Sequence, residues 1–231
     1  MWSEKFTYLA LMLGSLFFPL LLSFDKNVRF VQYFKPLAVA IVIPGMFFIV
    51  WDVLFTHLGY WQFNEAYTLG WRIFKLPLEE WMFFIVIPFC SIFIYKVFQF
   101  YFPNLQFNKQ LRIFYFSVAL LFSLIAIFNF EKYYSFITLL GVAFMLFFVL
   151  LEKSFLPHLT YFSIAFVVSC LPMLLVNGVL TAMPVVSYNS NYFSNIRLYS
   201  IPIEDFSYFF LLLLMNVFVF EKATLLFLRR K

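Results

Sequence analysis

The sequence predicts an all-α polytopic membrane protein with seven transmembrane helices, built as two parallel three-helix repeats joined by an extra helix. Three observations lead there. The 231-residue chain is 65% hydrophobic and only 12% charged, far more apolar surface than a water-soluble domain needs. Seven apolar runs reach the roughly 17–25 residues that a spanning helix requires. A polar motif also recurs in register 125 residues further along the chain.

The runs lie near 6–24, 37–56, 78–101, 112–129, 133–151, 158–181 and 203–227. Lys and Arg flank them, and Trp and Tyr gather near their ends as interface anchors do. The first carries Glu4 at its head and lacks an A-x-A site, so it reads as a retained helix rather than a cleaved leader. The third and seventh open on a proline and a pair of acids, "LPLEE" and "IPIED". Cys90 and Cys170 fall inside apolar runs with no C-x-x-C spacing and read as packing residues.

Five cations (Lys5, Arg72, Lys75, Lys132 and Arg197) flank the helices on the side of the N-terminus, and eleven, including Lys26, Arg29, Lys35, Arg229, Arg230 and Lys231, lie on the other. The positive-inside rule then places the C-terminus in the cytoplasm and the N-terminus outside a cytoplasmic-type inner membrane. The net charge of +5 is a loop effect with no basic stripe, which argues against a nucleic-acid partner.

Residues 56–84 align with 181–209 without a gap. Seven positions are identical: Thr56/Thr181, Asn64/Asn189, Tyr67/Tyr192, Arg72/Arg197, Pro77/Pro202, Glu79/Glu204 and Phe84/Phe209. Biased composition gives chance matches in Phe and Leu, but not Asn, Arg, Pro and Glu in register. Helices one to three therefore correspond to five to seven. Three helices reverse the chain's direction across a membrane, and one spare helix restores it, so the halves are parallel about an axis along the membrane normal. The expected division is 1–105, a linker helix within 106–130, and 131–231.

Pro77 suits the first turn of a helix, and the acids after it suit the positive end of the helix dipole. That much describes an ordinary acidic helix start at the interface. Repetition at matched positions argues for more. Arg72 and Arg197 recur seven residues before each glutamate as candidate charge partners, and Asp52/Asn177 and Asn64/Asn189 pair by symmetry. Ionisable groups at membrane depth face a cavity or a partner. Adjacent helical residues point about 100° apart, so one acid of each pair can face the axis. The expected ones are Glu79 and Glu204, the identical pair. Two carboxyl groups together in a low-dielectric site cannot both ionise cheaply, which leaves one as an acid and one as a base. Aromatic residues near them in sequence, among them Trp71, Trp81, Phe83, Phe84, Phe206, Tyr208 and Phe209, suit the stabilisation of a carbocation; aromatics at helical spacing also serve as plain packing.

The doubled P-x-E-[ED] of "LPLEEWMFF" and "IPIEDFSYFF" resembles the integral-membrane lycopene cyclase family. Its members occur as heterodimers of three-helix subunits, as fused chains, and within bifunctional proteins; the repeat-plus-spare-helix layout looks like a fused version. The resemblance implies a lycopene β-cyclase, in which a linear carotene end group is protonated, closes to a six-membered ring and loses a proton, with no net redox. It implies Glu79, Glu80, Glu204 and Asp205 as acid and base. Arg72, Arg197, Asn64, Asn189, Asp52, Trp81, Phe84 and Phe209 become candidates for substrate binding or tuning. The implied partners are lycopene or a related carotene, membrane lipid and other carotenoid enzymes. An elongated carotene is an alternative substrate.

No cofactor or metal is expected. The glycines (Gly14, Gly45, Gly59, Gly70, Gly141 and Gly178) form no G-x-G-x-x-G fingerprint. There is no D-D-x-x-D cluster for Mg²⁺ and diphosphate, and His57 and His158 lack metal-ligand spacing. The seventh helix has no lysine at mid-depth for a retinal Schiff base. A proton-coupled carrier is the non-enzyme alternative, but it needs polar groups deep in several helices, and these are almost bare.

Overall fold

The structure, a computed structural model, describes residues 4–228; Arg229, Arg230 and Lys231 of the charge count lie outside them. The described residues form seven helices: α1 (Thr7–Leu22), α2 (Phe34–His57), α3 (Leu78–Tyr101), α4 (Lys109–Phe128), α5 (Tyr133–Leu151), α6 (Leu156–Ala182) and α7 (Ile203–Leu228). All seven are long and apolar enough to cross a membrane. The ends differ from expectation by a few residues where the chain supplies caps. Asn108 starts α4 by accepting the Leu111 N–H at 2.7 Å, satisfying one of the orphan donors of a first turn. Pro36 and Pro157 lie in the first turns of α2 and α6, where a missing N–H costs nothing.

Six short strands, absent from the sequence reading, fold the two long loops on the side of the N-terminus: β1 (Trp61–Phe63), β2 (Arg72–Ile73), β3 (Leu76–Pro77), β4 (Val186–Tyr188), β5 (Arg197–Leu198) and β6 (Ile201–Pro202). At two or three residues each, they carry no periodicity to detect. β2 and β3 form one antiparallel hairpin, β5 and β6 its repeat, with Arg72 opposite Pro77 and Arg197 opposite Pro202. β1 and β4 pair antiparallel across the two halves, with Trp61 opposite Tyr188, Gln62 opposite Ser187 and Phe63 opposite Val186. Moving every residue by the 125-residue repeat maps this ladder onto itself. The two-fold axis of the repeats therefore passes through the Gln62–Ser187 pair, perpendicular to the ladder.

The helices obey the same symmetry. α3 and α7 meet at the centre. α1 packs on α3 as α5 packs on α7, and α6 packs on α3 as α2 packs on α7. Each repeat thus lends its second helix to the other. α4 lies against α5 alone among its principal partners, with Phe114, Leu121, Leu124 and Phe128 exposed. In a bilayer such an all-round apolar surface is the solvent-facing one. Proline inside a spanning helix frees a carbonyl that the protein must satisfy. Pro19 frees the Ser15 carbonyl, which accepts the Cys90 thiol of α3 at 3.4 Å.

Candidate active site

The acid pairs owe their positions to the hairpins. In the first, Phe74 and Lys75 have φ of 50° and 69°, the left-handed pair of a two-residue turn matched to strand twist. Gly70 (φ 84°) and Asn195 (φ 65°) adopt the left-handed conformation at the same repeat position, where glycine carries no Cβ cost. The Leu78 N–H then donates to the Trp71 carbonyl, and the Ile203 N–H to that of Ile196, at 2.9 and 3.0 Å. Both contacts deliver the acids into the first turns of α3 and α7 with the same orientation.

Within each pair the orientations are the reverse of those expected. Glu79 and Glu204 turn back to the loops and are 0% and 3% exposed. Glu79 Oε1 accepts the Leu69 N–H at 2.7 Å. Glu204 Oε1 accepts the Ser194 N–H at 2.8 Å and the Ser135 hydroxyl. Leu69 and Ser194 are themselves repeat equivalents, so one latch is built twice. Glu80 and Asp205, about 100° further round their helices, face the axis and line a buried chamber. The identical residues serve an identical backbone latch; the pair that differs meets different neighbours.

The chamber is part of a cavity of about 170 Å³ beneath the β1–β4 ladder. Asp52 of α2 joins the two acids there. The Tyr8 hydroxyl donates to Glu80 Oε2 at 2.6 Å, and Trp61 Nε1 to Asp52 Oδ1 at 2.6 Å. The Glu80 and Asp52 carboxyl groups face the same buried space and act on each other electrostatically. Two carboxyl groups so placed cannot both ionise cheaply, which favours one keeping its proton. Asp205 has a different shell: Tyr134 donates to Oδ1 at 2.7 Å, and Tyr188 and Asn177 to Oδ2 at 2.8 and 3.3 Å. These donors favour the charged form of the carboxyl group. Burial, reinforced by the Asp205 carboxyl, pushes the Tyr188 phenol well above its ordinary range, so it remains a donor at neutral pH. Phe63, Phe83, Tyr208 and Phe209 complete an aromatic wall.

Of the other candidates, Asp52 and Phe209 line the cavity, whereas Trp81 and Phe84 do not. The Trp81 indole reaches the Ile73 carbonyl at 3.4 Å, and Phe84 stacks on Phe48. Asn64 and Asn189 shape the loops: their side chains accept the N–H groups of Ala66 and Asn191. Neither Arg72 nor Arg197 forms an ion pair with any of the four acids, although the Arg197 charge acts on Asp205. Arg72 bridges Glu65 at 3.1 Å and donates to the Phe63 and Lys75 carbonyls. Arg197 donates to the Ser200 carbonyl and lies over the Phe193 and Tyr188 rings.

Sequence reasoning missed Tyr8, Tyr134 and Tyr188. Tyr8 and Tyr134 carry a signal, since they occupy matching places on the first helices of the two repeats, but 126 residues apart. One residue of slippage outside the gap-free frame hid them. Tyr188 aligns with Phe63 as an aromatic pair of the repeat, a match that does not single out its hydroxyl. No group of three or more metal-binding side chains occurs among the described residues.

The family model for lycopene cyclases matches this chain twice, over residues 5–98 and 131–223. The chain belongs to the lycopene cyclase family. Comparisons with curated proteins and with solved structures gave no match. Membership makes this cyclase an integral-membrane enzyme that cyclises carotenoids, with a carotene as its substrate. Both matched segments bring one acid pair, and the chamber lies where they meet.

Proposed function

We propose that the enzyme is a lycopene β-cyclase using Glu80, Asp52 and Asp205 for proton transfer. The observation that carries this reading is that three carboxyl groups line one buried aromatic chamber, one of them held by three donors. The proton kept by the Asp52–Glu80 pair passes to the terminal double bond of the carotene end group and leaves a tertiary cation. The π electrons of the neighbouring double bond close a six-membered ring. Asp205 takes a proton from the carbon beside the new cationic centre, and the electrons of that C–H bond form the ring double bond. One proton enters and one leaves, so the product is an isomer. Return of the proton from Asp205 to the Asp52–Glu80 pair resets the site.

Alkene protonation by a carboxylic acid is difficult, and two features here favour it. The three acids are at most 8% exposed, so charges and dipoles act at low dielectric. Rings of Phe83, Tyr208 and Phe209 present π faces to a cation without capturing it. The β ring is the product that the family resemblance implies. The distribution of cations further supports a C-terminus in the cytoplasm and a chamber toward the outer face, with 1–105 and 131–231 as the two repeats and a linker helix within 106–130.

Expression in cells that accumulate lycopene tests the reading: the pigment becomes monocyclic or bicyclic with β rings. Unchanged lycopene beside a proton-gradient-dependent flux supports a carrier instead and overturns it.

A further inference from the structure

The cavity has two parts, and the repeat tells them apart. Around the axis its lining is symmetric: Tyr8 with Tyr134, Asp52 with Asn177, Glu80 with Asp205, Phe83 with Tyr208, Ile87 with Leu212. Both members of each pair face the space. Below this chamber the symmetry ends. A cleft continues between α1, α3 and α6, past Ser15, Cys90, Ser91, Ile94, Met173 and Val176. None of their counterparts in the other half lines it.

Those counterparts show why the repeat has one cleft here. Met173, Val176 and Leu180 of α6 correspond to Phe48, Trp51 and Phe55 of α2, three aromatic rings that are at most 7% exposed. Phe48 stacks on Trp51 at 5.7 Å, and both sit edge-on to Tyr208, at 4.9 and 5.3 Å. Phe55 lies against Trp51 at 5.6 Å. Ser15 corresponds to Gly141, where an added Cβ would come within 2.8 Å of Leu211, so the Leu211 side chain of α7 fills the space beside α5 at that level. One half keeps the space and the other fills it.

We propose that the α1–α3–α6 cleft is the binding channel for the polyene chain of the carotene, and that the chamber holds only its end group. This rests on the cyclase reading above. The lining runs from Glu80 to Ile94, about 21 Å at the helical rise of about 1.5 Å per residue, so it crosses most of the roughly 30 Å hydrocarbon core. Its far edge reaches lipid at Pro19 and Ile94, which are half-buried, and at Pro172, which is exposed. A rigid hydrocarbon too long for the chamber needs such an outlet. With one channel, the enzyme holds one end of one carotene at a time. A two-ended substrate must leave and return reversed for its second ring.

The test copies the closed half into the open one. Met173→Phe and Val176→Trp place the rings of Phe48 and Trp51 in the cleft. Against lycopene and a half-length apo-carotene with the same acyclic end group, the long-to-short ratio of cyclisation rates falls about tenfold or more, since overfilled space excludes the chain. An unchanged ratio overturns the proposal. Cys90 provides a readout independent of those variants. In a Cys170→Ala chain it is the only cysteine, and bound lycopene removes most of its labelling by N-ethylmaleimide, whereas the half-length compound leaves more. Equal labelling with and without saturating lycopene overturns the channel. Failure of the unaltered enzyme to cyclise lycopene at all refutes the activity instead, a result the labelling experiment separates from failure of the channel.

Discussion

Glu80→Gln and Glu79→Gln, adjacent and chemically the same change, are expected to have opposite effects. At position 80, glutamine preserves the shape: its carbonyl accepts the Tyr8 hydroxyl now bonded at 2.6 Å, and its amide faces Asp52. It cannot deliver a proton. General acids contribute about 10²–10⁴-fold, which is about 3–5 kcal/mol of barrier. Cyclisation should fall by about that factor, with stability changed by less than about 1 kcal/mol. At position 79, the carbonyl keeps the Leu69 N–H, but the new amide points where Glu79 Oε2 has no partner. A buried unsatisfied donor costs about 1–3 kcal/mol, so stability drops while turnover stays within about tenfold of the unaltered enzyme. The assay is the initial rate of lycopene consumption by purified protein in micelles, followed by its visible absorbance and paired with a thermal midpoint. A folded but inactive Glu79→Gln beside an active Glu80→Gln would refute the assignment.

Tyr134→Phe and Tyr8→Phe each remove one donor to a chamber acid; each should slow cyclisation about tenfold, a loss of about 1.4 kcal/mol, read in the same assay. At the opposite end of the bundle, Tyr95 donates to Glu221 at 2.8 Å beside Gln99 and His158. Tyr95→Phe should lower the thermal midpoint by about 2–8 °C, for a cost of about 1–2 kcal/mol, and leave the rate unchanged. The Tyr188 phenol holds its proton more tightly when folded, so its contribution is complete at neutral pH and is lost as pH rises past the ordinary tyrosine value of about 10. Stability should therefore decline in alkali, and Tyr188→Phe should flatten that decline in a pH series of melting curves.

The helices were legible because composition and run length settle them without regard to partners, and the axis was legible because Pro77/Pro202 and Glu79/Glu204 recur in one frame. The choice between Glu79 and Glu80 was not legible. Both fit a helix's first turn, and the Leu69 amide that claims Glu79 lies in a loop whose path depends on strands too short to register. The missing ion pair between Arg72 and Glu79 has a related reason. Seven residues before a glutamate suggests a charge pair, but the tight turn between β2 and β3 reverses the chain and aims the Arg72 guanidinium at carbonyls of its own loop. Tyr8 was hidden by one residue of slippage, and the cleft by the difference between Val176 and Trp51, which is apparent only once α6 and α2 are seen to exchange sides.

That exchange of second helices has a consequence for how the chain is held together. Neither half owns a finished interior: α2 leans on a stranger's α7, and α6 on a stranger's α3. The peptide that runs from one half to the other contributes proximity rather than shape. Severed in the segment 102–108, the two fragments would still have only one surface each on which to rest, and the ladder through Gln62 and Ser187 would stitch them edge to edge. A duplicated gene with this architecture can fuse or split without redrawing the site, because the joint was never where the chain is continuous.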